Sequence, residues 1–493
     1  MKKDILLFIS DQHSALMQHY AGDSLVRTPN LDMLAEGGCA FMNAVTPYPL
    51  CVPARMCMMA GQLASRIDCM SNSSVLSSAR ATFAHSLDVA GYDTVLCGRM
   101  HFVGPDQRHG FTKRIAGDLT PFYTNRPKTM KEERGIHMNT AVGGRNSLTA
   151  IGAGNSPTLE YDRYVISHAL DYLQGEYEKP QFLCVGTYAP HHPFVAPKEL
   201  YDYYLDKVDS VPDTLHLEDD PFYQDIFRDR DPEVIRAVRA AYYGLVEFLD
   251  DEVGQVYRAF QAYLERTGHE GVFIYVSDHG EMAGTRGMYG KNTFYEESVH
   301  IPMIFSGDGI ERGRRFDGAV SLLDIGPTIC ALAGAEAAGQ QDGRSLVSQL
   351  VGGKDDLERM VISEVGGRIE KKSGLFSYGQ MVRCASRKYV RFFDNDEKIC
   401  FERMADIAAD PLETRNILLE NTELAEKMRT YLGEVCLPSY RIYDNAEAER
   451  VNLEVTMKLD FDHEERWKCT PAGREAPEEM VSTKTPAVPF VFP

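Results

Sequence analysis

Asp4-Ile5-Leu6-Leu7-Phe8-Ile9-Ser10-Asp11-Gln12 holds five consecutive apolar residues and then stops at a hydroxyl, a carboxylate and an amide. A run of this kind fits a strand buried on both faces, as in a parallel sheet covered by helices, and not the alternation of a half-exposed strand. Thr94–Cys97, Phe182–Thr187, Val272–Val276 and Met303–Phe305 repeat the pattern. Helical stretches lie between them. Thr28-Pro29 opens one that Gly37 stops, Thr82 caps another that ends at Gly91, and Asp231-Pro232 opens a long amphipathic one closed near Gly268. The alternation predicts an α/β fold, a large mixed and mostly parallel sheet between helices.

The pattern changes after about Gly353. Lys388–Phe393, the turn Asp394-Asn395-Asp396 and Ile399–Phe401 read as an antiparallel hairpin, followed by a helix from Thr422 to Cys436. This predicts a catalytic domain over 1–353 and a smaller α+β domain over 354–493. The stretch from Thr470 to Pro493 has five prolines and reads as an extended arm, packed on its own subunit or on a second copy in a homo-oligomer. Ala141–Asn155 is Gly-rich but does not sit between a strand and a helix, so it reads as a surface loop and not a phosphate cradle.

With 493 residues, 44% of them hydrophobic, the chain can bury a large core. Fifty-two basic against 72 acidic residues give a net charge of −20, which repels nucleic acids and anionic membranes alike. Any anion site must therefore make its own positive potential from a metal or from clustered Arg, Lys and His. The apolar run Ile5–Ile9 is shorter than a signal-peptide core and far shorter than a membrane span, so the expected location is the cytoplasm. Eleven cysteines without a C-x-x-C pair argue against a disulfide framework and against a structural zinc.

Open α/β sheets bind ligands beyond the carboxyl ends of their strands. The segments just past the strands here are Ser10-Asp11-Gln12, Gly98-Arg99-Met100-His101, Ala189-Pro190-His191-His192 and Ser277-Asp278-His279-Gly280-Glu281. Asp11, Asp278, an amide oxygen from Gln12 and the His279 imidazole at one edge suit a divalent cation. Hard oxygens favour calcium, and magnesium or manganese are the alternatives. A lone Asp in such a position is usually a cap, so it is the pair with its polar neighbours that points to a metal.

Cys51-Val52-Pro53-Ala54-Arg55 comes after a loop with Pro47 and Pro49 and starts a helical run from Ala54 to Met59. Cys51 is thereby expected at a helix N-terminus, whose free N–H groups favour negative charge, with Arg55 one turn along. A cysteine there is more often packing, and a thiolate nucleophile wants a neighbouring histidine.

Together these residues resemble the type I sulfatases of the alkaline-phosphatase superfamily. C-x-P-A-R at Cys51–Arg55, Asp11, Ser277–Gly280, Gly98–His101, Pro190-His191 and Gly290-Lys291 carry the likeness. Thr28–Asp32, Gly61-Gln62, Ala90–Tyr92, Tyr295–Ser298 and Asp324–Thr328 extend it in order over roughly residues 4 to 350, with a weaker echo at Asp410–Thr414. The resemblance implies an alkaline-phosphatase-like fold and a sulfuric ester hydrolase whose Cys51 is converted to formylglycine by a maturation enzyme. One hydroxyl of the hydrated aldehyde then attacks sulfur, and the other expels sulfate by re-forming the carbonyl. It also implies roles: Asp11, Gln12, Asp278, His279 and the modified Cys51 on the cation; Arg55 stabilising the hydrate; Lys291 and His191 binding sulfate and protonating the leaving oxygen; His101, supported by Arg99, assisting collapse.

Three positions differ from the family's usual pattern. Gln12 stands for a second Asp, Ala54 for the commoner Ser, and Arg99 for a Lys, which keeps the charge and changes its geometry. Arg99–Gln107 followed by His109-Gly110-Phe111 looks most like the choline-sulfatase branch. The small-molecule substrate stays open among choline sulfate, a sulfated sugar and an aryl sulfate, since the only Trp is Trp467 and a quaternary ammonium wants an aromatic cage. Rival readings are a phosphonate monoester or phosphodiester hydrolase, a non-catalytic sulfate-ester binder, and a thiol-dependent enzyme. His13 and His192 read as supporting or packing residues, and His85 and His300 as structural.

Overall fold

β1, Asp4–Asp11, is buried along all eight residues. Burying each of its five large apolar side chains contributes about 1.5–3 kcal/mol, which fixes the strand at the centre of a sheet and not at an edge. The computed structural model describes residues 2–120, 148, 150–208, 214–217, 220–223, 228–369, 376–394, 396–436 and 481–482. In chain order the next strands are β2 (Gly38–Phe41), β3 (Ala44–Val45), β4 (Asp93–Gly98), β5 (Lys113–Ala116), β6 (Ile151–Ala153), β7 (Gln181–Pro190) and β8 (Phe194–Ala196). After them come β9 (Gly271–Ser277), β10 (His300–Ile301), β11 (Met303–Gly307), β12 (Arg314–Phe316) and β13 (Val320–Ser321).

Eight of them form one sheet in the order β12-β2-β11-β9-β1-β7-β4-β5. β9, β1, β7, β4 and β5 run parallel, whereas β11, whose Met303–Phe305 run reads in the sequence as one more parallel strand, joins β9 and β2 antiparallel, because a buried apolar run does not encode direction; the sheet is mixed and mostly parallel. Alternate residues of β1 enter two cores. Ile5, Leu7 and Ile9 pack with α2 (Cys51–Ala60), α3 (Phe83–Val89) and the helix Ile325–Ala333. Leu6 and Phe8 pack on the other face with α1 (Pro29–Gly37) and the helices Pro157–Tyr172 and Pro232–Thr267. The long helix starts and stops where the sequence signals it: the Asp231 side chain accepts from the Glu233 N–H, and Gly268 closes it in the left-handed region.

The expected hairpin is present as Arg387–Phe393 and Ile399–Asp406, the last two strands of a four-stranded antiparallel sheet, β14 (Val361–Ile369), β15 (Phe376–Arg383), β16 (Arg387–Phe393) and β17 (Ile399–Asp406). The helix Thr422–Val435 covers it with Ala425, Met428 and Leu432. Ile362, Tyr378, Val382, Tyr389 and Met404 share one hydrophobic cluster with Ile5 and Leu7, so this sheet is joined to the catalytic core and not hung from it. The expected C-terminal arm and Trp467 lie outside the described residues, except β18 (Val481–Ser482), which pairs antiparallel with β6 of the same chain. Most of Ala141–Asn155 is outside them too. Among the described residues every cysteine is free, and no helix is long and apolar enough to cross a membrane.

Candidate active site

The pairing register explains how distant motifs meet. Ser10 stands opposite Ser277 in the parallel pair β1 and β9, which puts Asp11 and Asp278 side by side at the first step beyond the strands. On the other flank Asp11 pairs with Pro190, so His191 is next to it, and Gly98 of β4 pairs with Gly186 of β7, which brings Arg99 in behind. Gly186 is required there: a Cβ would collide with the Arg99 carbonyl, whose own N–H donates to the Gly186 oxygen at 2.8 Å.

α2 brings Cys51 to this edge. Its first residue is Cys51 itself, three residues earlier than the sequence predicts. The expected free amides at that helix start are not all free. Val52 N–H donates to Asn72 Oδ1 at 3.0 Å, Pro53 has none, and Ala54 N–H donates to the Leu50 carbonyl. Positive potential at position 51 therefore comes mainly from the side chains of Lys291 and Arg99, which oppose the rise of the thiol pKa.

Single donor atoms of Asp11, Cys51, Asp278 and His279 all lie within 4.8 Å of one another, and all four residues are buried. His279 Nδ1 hydrogen-bonds the Gly280 carbonyl at 3.0 Å, so that nitrogen carries the proton and the Nε2 lone pair faces Cys51 Sγ at 3.2 Å. Asp11 Oδ2 is taken by Arg99 Nε at 2.6 Å and Arg55 Nη2 at 3.2 Å, while Oδ1 points to the cluster, 3.7 Å from Cys51 Sγ. Two oriented carboxylates and one imidazole lone pair so close together could hold one divalent cation.

Arg55 lies beneath the cluster, fully buried, with Nε on Asp278 Oδ2 at 2.8 Å. Lys291 Nζ reaches His191 Nε2 at 2.8 Å and also donates to Gln12 Oε1. His191 Nδ1 donates to the His192 carbonyl at 2.8 Å, so Nε2 is free to accept from the ammonium. Arg99 Nη2 donates to His101 Nδ1 at 2.9 Å, which leaves the His101 proton on Nε2. Every residue singled out from the sequence for the site, Asp11, Gln12, Cys51, Arg55, Arg99, His101, His191, Asp278, His279 and Lys291, is gathered at this one edge.

The electrostatics are strongly biased. Burial opposes charge on Asp11, but Arg99, His191, Arg55 and Lys291 outweigh it and hold the carboxyl well below the usual range. Burial and then Asp11 push the Cys51 thiol up to about 11, so an unmodified Cys51 in the ion-free protein is a thiol at neutral pH and a poor nucleophile. Burial and the Arg99 charge hold His101 neutral, and burial, His192 and Lys291 do the same to His191.

Four supporting residues receive no role from the sequence, although Glu281 ends the strand-end segment Ser277–Glu281. Asp118 Oδ2 accepts the N–H groups of Met100 at 3.1 Å and His101 at 2.8 Å, pinning His101 at a φ of 60°. Asp162 accepts from Tyr188 and Ala189 N–H at 2.6 and 2.7 Å and holds the end of β7, where the Tyr188 ring lies 4.7 Å from the Arg99 guanidinium carbon. Tyr242 donates to the Gln12 carbonyl at 2.5 Å. Glu281, whose carboxyl burial pushes up to about 7 against two backbone amides and the Lys291 charge, accepts from Gln12 Nε2. His192 lies against His191 with the rings tilted by 36° and their centroids 3.9 Å apart; His13 bonds Tyr275, His85 caps α3, and His300 bonds the Met42 carbonyl.

An open sheet with a buried group of side chains that could hold a metal ion, Cys51 inside it and an ammonium–imidazole pair alongside, is an arrangement suited to ester hydrolysis. The family described as Sulfatase matches residues 3–335, and the family described as N-sulphoglucosamine sulphohydrolase, C-terminal, matches residues 284–436. The chain is 31% identical to a choline-sulfatase of Rhizobium meliloti (strain 1021), over 89% of this chain and 86% of that protein. It is 26% identical to an arylsulfatase of Clostridium perfringens (strain 13 / Type A), over 89% and 94%. A structure solved in complex with D-glucosamine-2-N,6-O-disulfate superposes with a TM-score of 0.69 at 19% identity, over 90% of this chain and 99% of that one, a likeness of fold. The chain belongs to the sulfatase family.

Proposed function

We propose that the protein cleaves a sulfate monoester to an alcohol and sulfate, using position 51 after conversion of Cys51 to formylglycine, with one divalent cation on Asp11, Gln12, Asp278 and His279. Calcium is the first choice because most of the donors are hard oxygens. The single observation that carries the reading is the position of Cys51 Sγ inside the ligand cluster, within 4.8 Å of donors on Asp11, Asp278 and His279. A side chain so placed touches both the ion and any sulfate bound to it, yet burial and Asp11 deny it thiolate character.

When bound, the cation polarises a sulfate oxygen and acidifies a hydroxyl at position 51. The hydrated aldehyde supplies two hydroxyls, one to displace the alcohol from sulfur and one to release sulfate as the carbonyl re-forms. Arg55 bridges Asp11 and Asp278 and helps to hold the Asp11 carboxyl in its charged form. Lys291 Nζ binds a sulfate oxygen and, with His191, delivers a proton to the departing alcohol oxygen. His101, fixed by Arg99 on Nδ1 and carrying its proton on Nε2, assists the collapse as a hydrogen-bond donor when sulfate leaves. Since Cys51 is 1% exposed in the folded chain, its conversion belongs to the unfolded or nascent chain.

The test is the mass of the peptide that holds Cys51, together with initial rates on nitrophenyl sulfate, nitrophenyl phosphate and phenylphosphonate, with and without a chelator. The expected result is an aldehyde at position 51, sulfate as the preferred ester and loss of rate with the chelator. An active enzyme with an intact thiol at Cys51 would sink the mechanism, and faster turnover of phenylphosphonate would move the assignment to phosphonate ester hydrolysis. A panel of choline, aryl and sugar sulfates then ranks the alcohol half.

A further inference from the structure

Gln12 brings a difficulty that a carboxylate at the same place does not have. An Asp offers a cation the same oxygen whichever way it rotates; an amide has an NH2 end that repels it. Gln12 leaves β1 with a φ of 70°, its N–H donates to Asp278 Oδ1 at 3.0 Å, and its carbonyl accepts from Tyr242. The backbone is thus fixed, and only the amide rotation is left to decide.

Both neighbours of that amide demand the same answer. Lys291 has only donors and sits on Oε1; the Glu281 carboxylate accepts and sits on Nε2. Glu281 is itself immobile, fully buried, with Oε1 accepting from Gly290 N–H at 2.7 Å and Ala283 N–H at 2.8 Å. Its other oxygen can be satisfied only by a donor, and Gln12 Nε2 supplies it. Lys291, by contrast, must turn toward sulfate when substrate is bound. Glu281 is then the member that stays.

We infer that Glu281 is a positioning residue that selects the oxygen face of Gln12 for the cation, so that Gln12 and Glu281 together replace a second aspartate: the neutral oxygen touches the ion and the negative charge sits one hydrogen bond further out. The inference rests on the cation site proposed above. It differs from a general stabilising role because it predicts a change of sign between two backgrounds. In the natural background Glu281→Gln turns an NH2 group toward Gln12, lets the amide flip and weakens cation binding. After Gln12→Asp, the carboxylates of Asp at 12 and Glu281 face each other, and the same Glu281→Gln change relieves that repulsion and strengthens binding.

The experiment is calorimetric titration of calcium into metal-stripped full-length protein for the four members of this cycle, with the calcium-induced rise in Tm as a second readout. The expected result is a Kd raised tenfold or more by Glu281→Gln alone and lowered by it in the Gln12→Asp background. An unchanged Kd in the natural background, or equal weakening in both, overturns the inference. Absence of binding by the unsubstituted chain overturns the cation reading and this inference with it. Should Glu281→Gln fail to fold, Glu281→Asp, which withdraws the carboxylate from Gln12, must show the same weakening.

Discussion

Arg55→Met tests the charge balance on which the site is built. The guanidinium is wholly buried and spends its donors on Asp278 Oδ2 at 2.8 Å, Asp11 Oδ2 at 3.2 Å, the Arg99 carbonyl at 3.1 Å and the Ser10 carbonyl at 3.3 Å. Met has a similar length and no charge, so the substitution leaves Asp278 with backbone donors alone and Asp11 with Arg99. Breaking a buried ion pair from one side costs about 3–5 kcal/mol, because the remaining charge has lost its partner. With an unfolding entropy of about 2 cal/mol/K per residue, a chain of this size loses about 3–5 °C of Tm if it melts as one unit. The assay is thermal unfolding followed by circular dichroism in chelator and again in saturating calcium. A bound dication neutralises the orphaned carboxylates, so calcium raises the Tm of the variant by more than that of the natural protein. A variant that melts within about a degree of the natural protein in chelator, or that gains no more than it from calcium, refutes the reasoning.

Lys291→Met removes an ammonium that binds His191 and Gln12 but holds no core together; kcat/KM on nitrophenyl sulfate should fall by about 10²–10³ with Tm unchanged, and a fall below tenfold contradicts a role on the sulfate. Asp118→Ala frees the amides of Met100 and His101 and should cost about 1–3 kcal/mol in urea unfolding; hydrogen exchange at those two amides that stays as slow as in the natural protein argues against the clamp. Burial holds His109 and His300 down to about 4, against an unfolded value near 6.5. Both are neutral in the fold and take up protons on unfolding, so stability present above pH ~6.5 is lost as pH falls toward ~4, each adding about 1.4 kcal/mol per pH unit to the slope. An NMR titration that finds either imidazole charged in the native protein at pH ~6 removes that contribution.

Strand identity was legible because fully buried parallel strands write themselves as continuous apolar runs, and the polar residues that stop them are the site. What those runs do not contain is their order. Asp11 and Asp278 are adjacent only because Ser10 pairs with Ser277, a register fixed by packing on both faces of β1. β14 and β15 escaped notice because Ser363, Glu364, Gly366, Gly379 and Gln380 interrupt their apolar pattern; Glu364 and Gln380 are buried by partners the sequence cannot reveal, Ser65 and Arg391. The helix start at Cys51 was read as an open anion site, and Asn72, about twenty residues later in a Ser-rich turn, closes part of it. Asp118 and Asp162 share this difficulty: each is an ordinary acid whose importance lies in which backbone N–H groups it meets.

A chain with net charge −20 has to attract an anionic ester against its own field. Arg55 does not do this directly, since its donors are spent on Asp278, Asp11 and the carbonyls of Arg99 and Ser10, whereas Arg99 gives Nε to Asp11 and Nη2 to His101 and keeps a buried Nη1 without a hydrogen-bond partner. Together they compensate the buried charge of the Asp11 carboxylate, and Arg55 pairs with Asp278 as well. On the proposed mechanism the attraction for sulfate falls to the cation, to the unpaired Arg99 Nη1 and to Lys291, whose ammonium is only partly buried and borders His191. Raising the ionic strength should consequently leave KM little changed or slightly lower, because salt screens the long-range repulsion while the short-range attraction arises from buried charges that salt reaches poorly. A steep loss of affinity with salt would mean that sulfate is drawn by exposed cations elsewhere, and that the buried cluster is not where the ester binds.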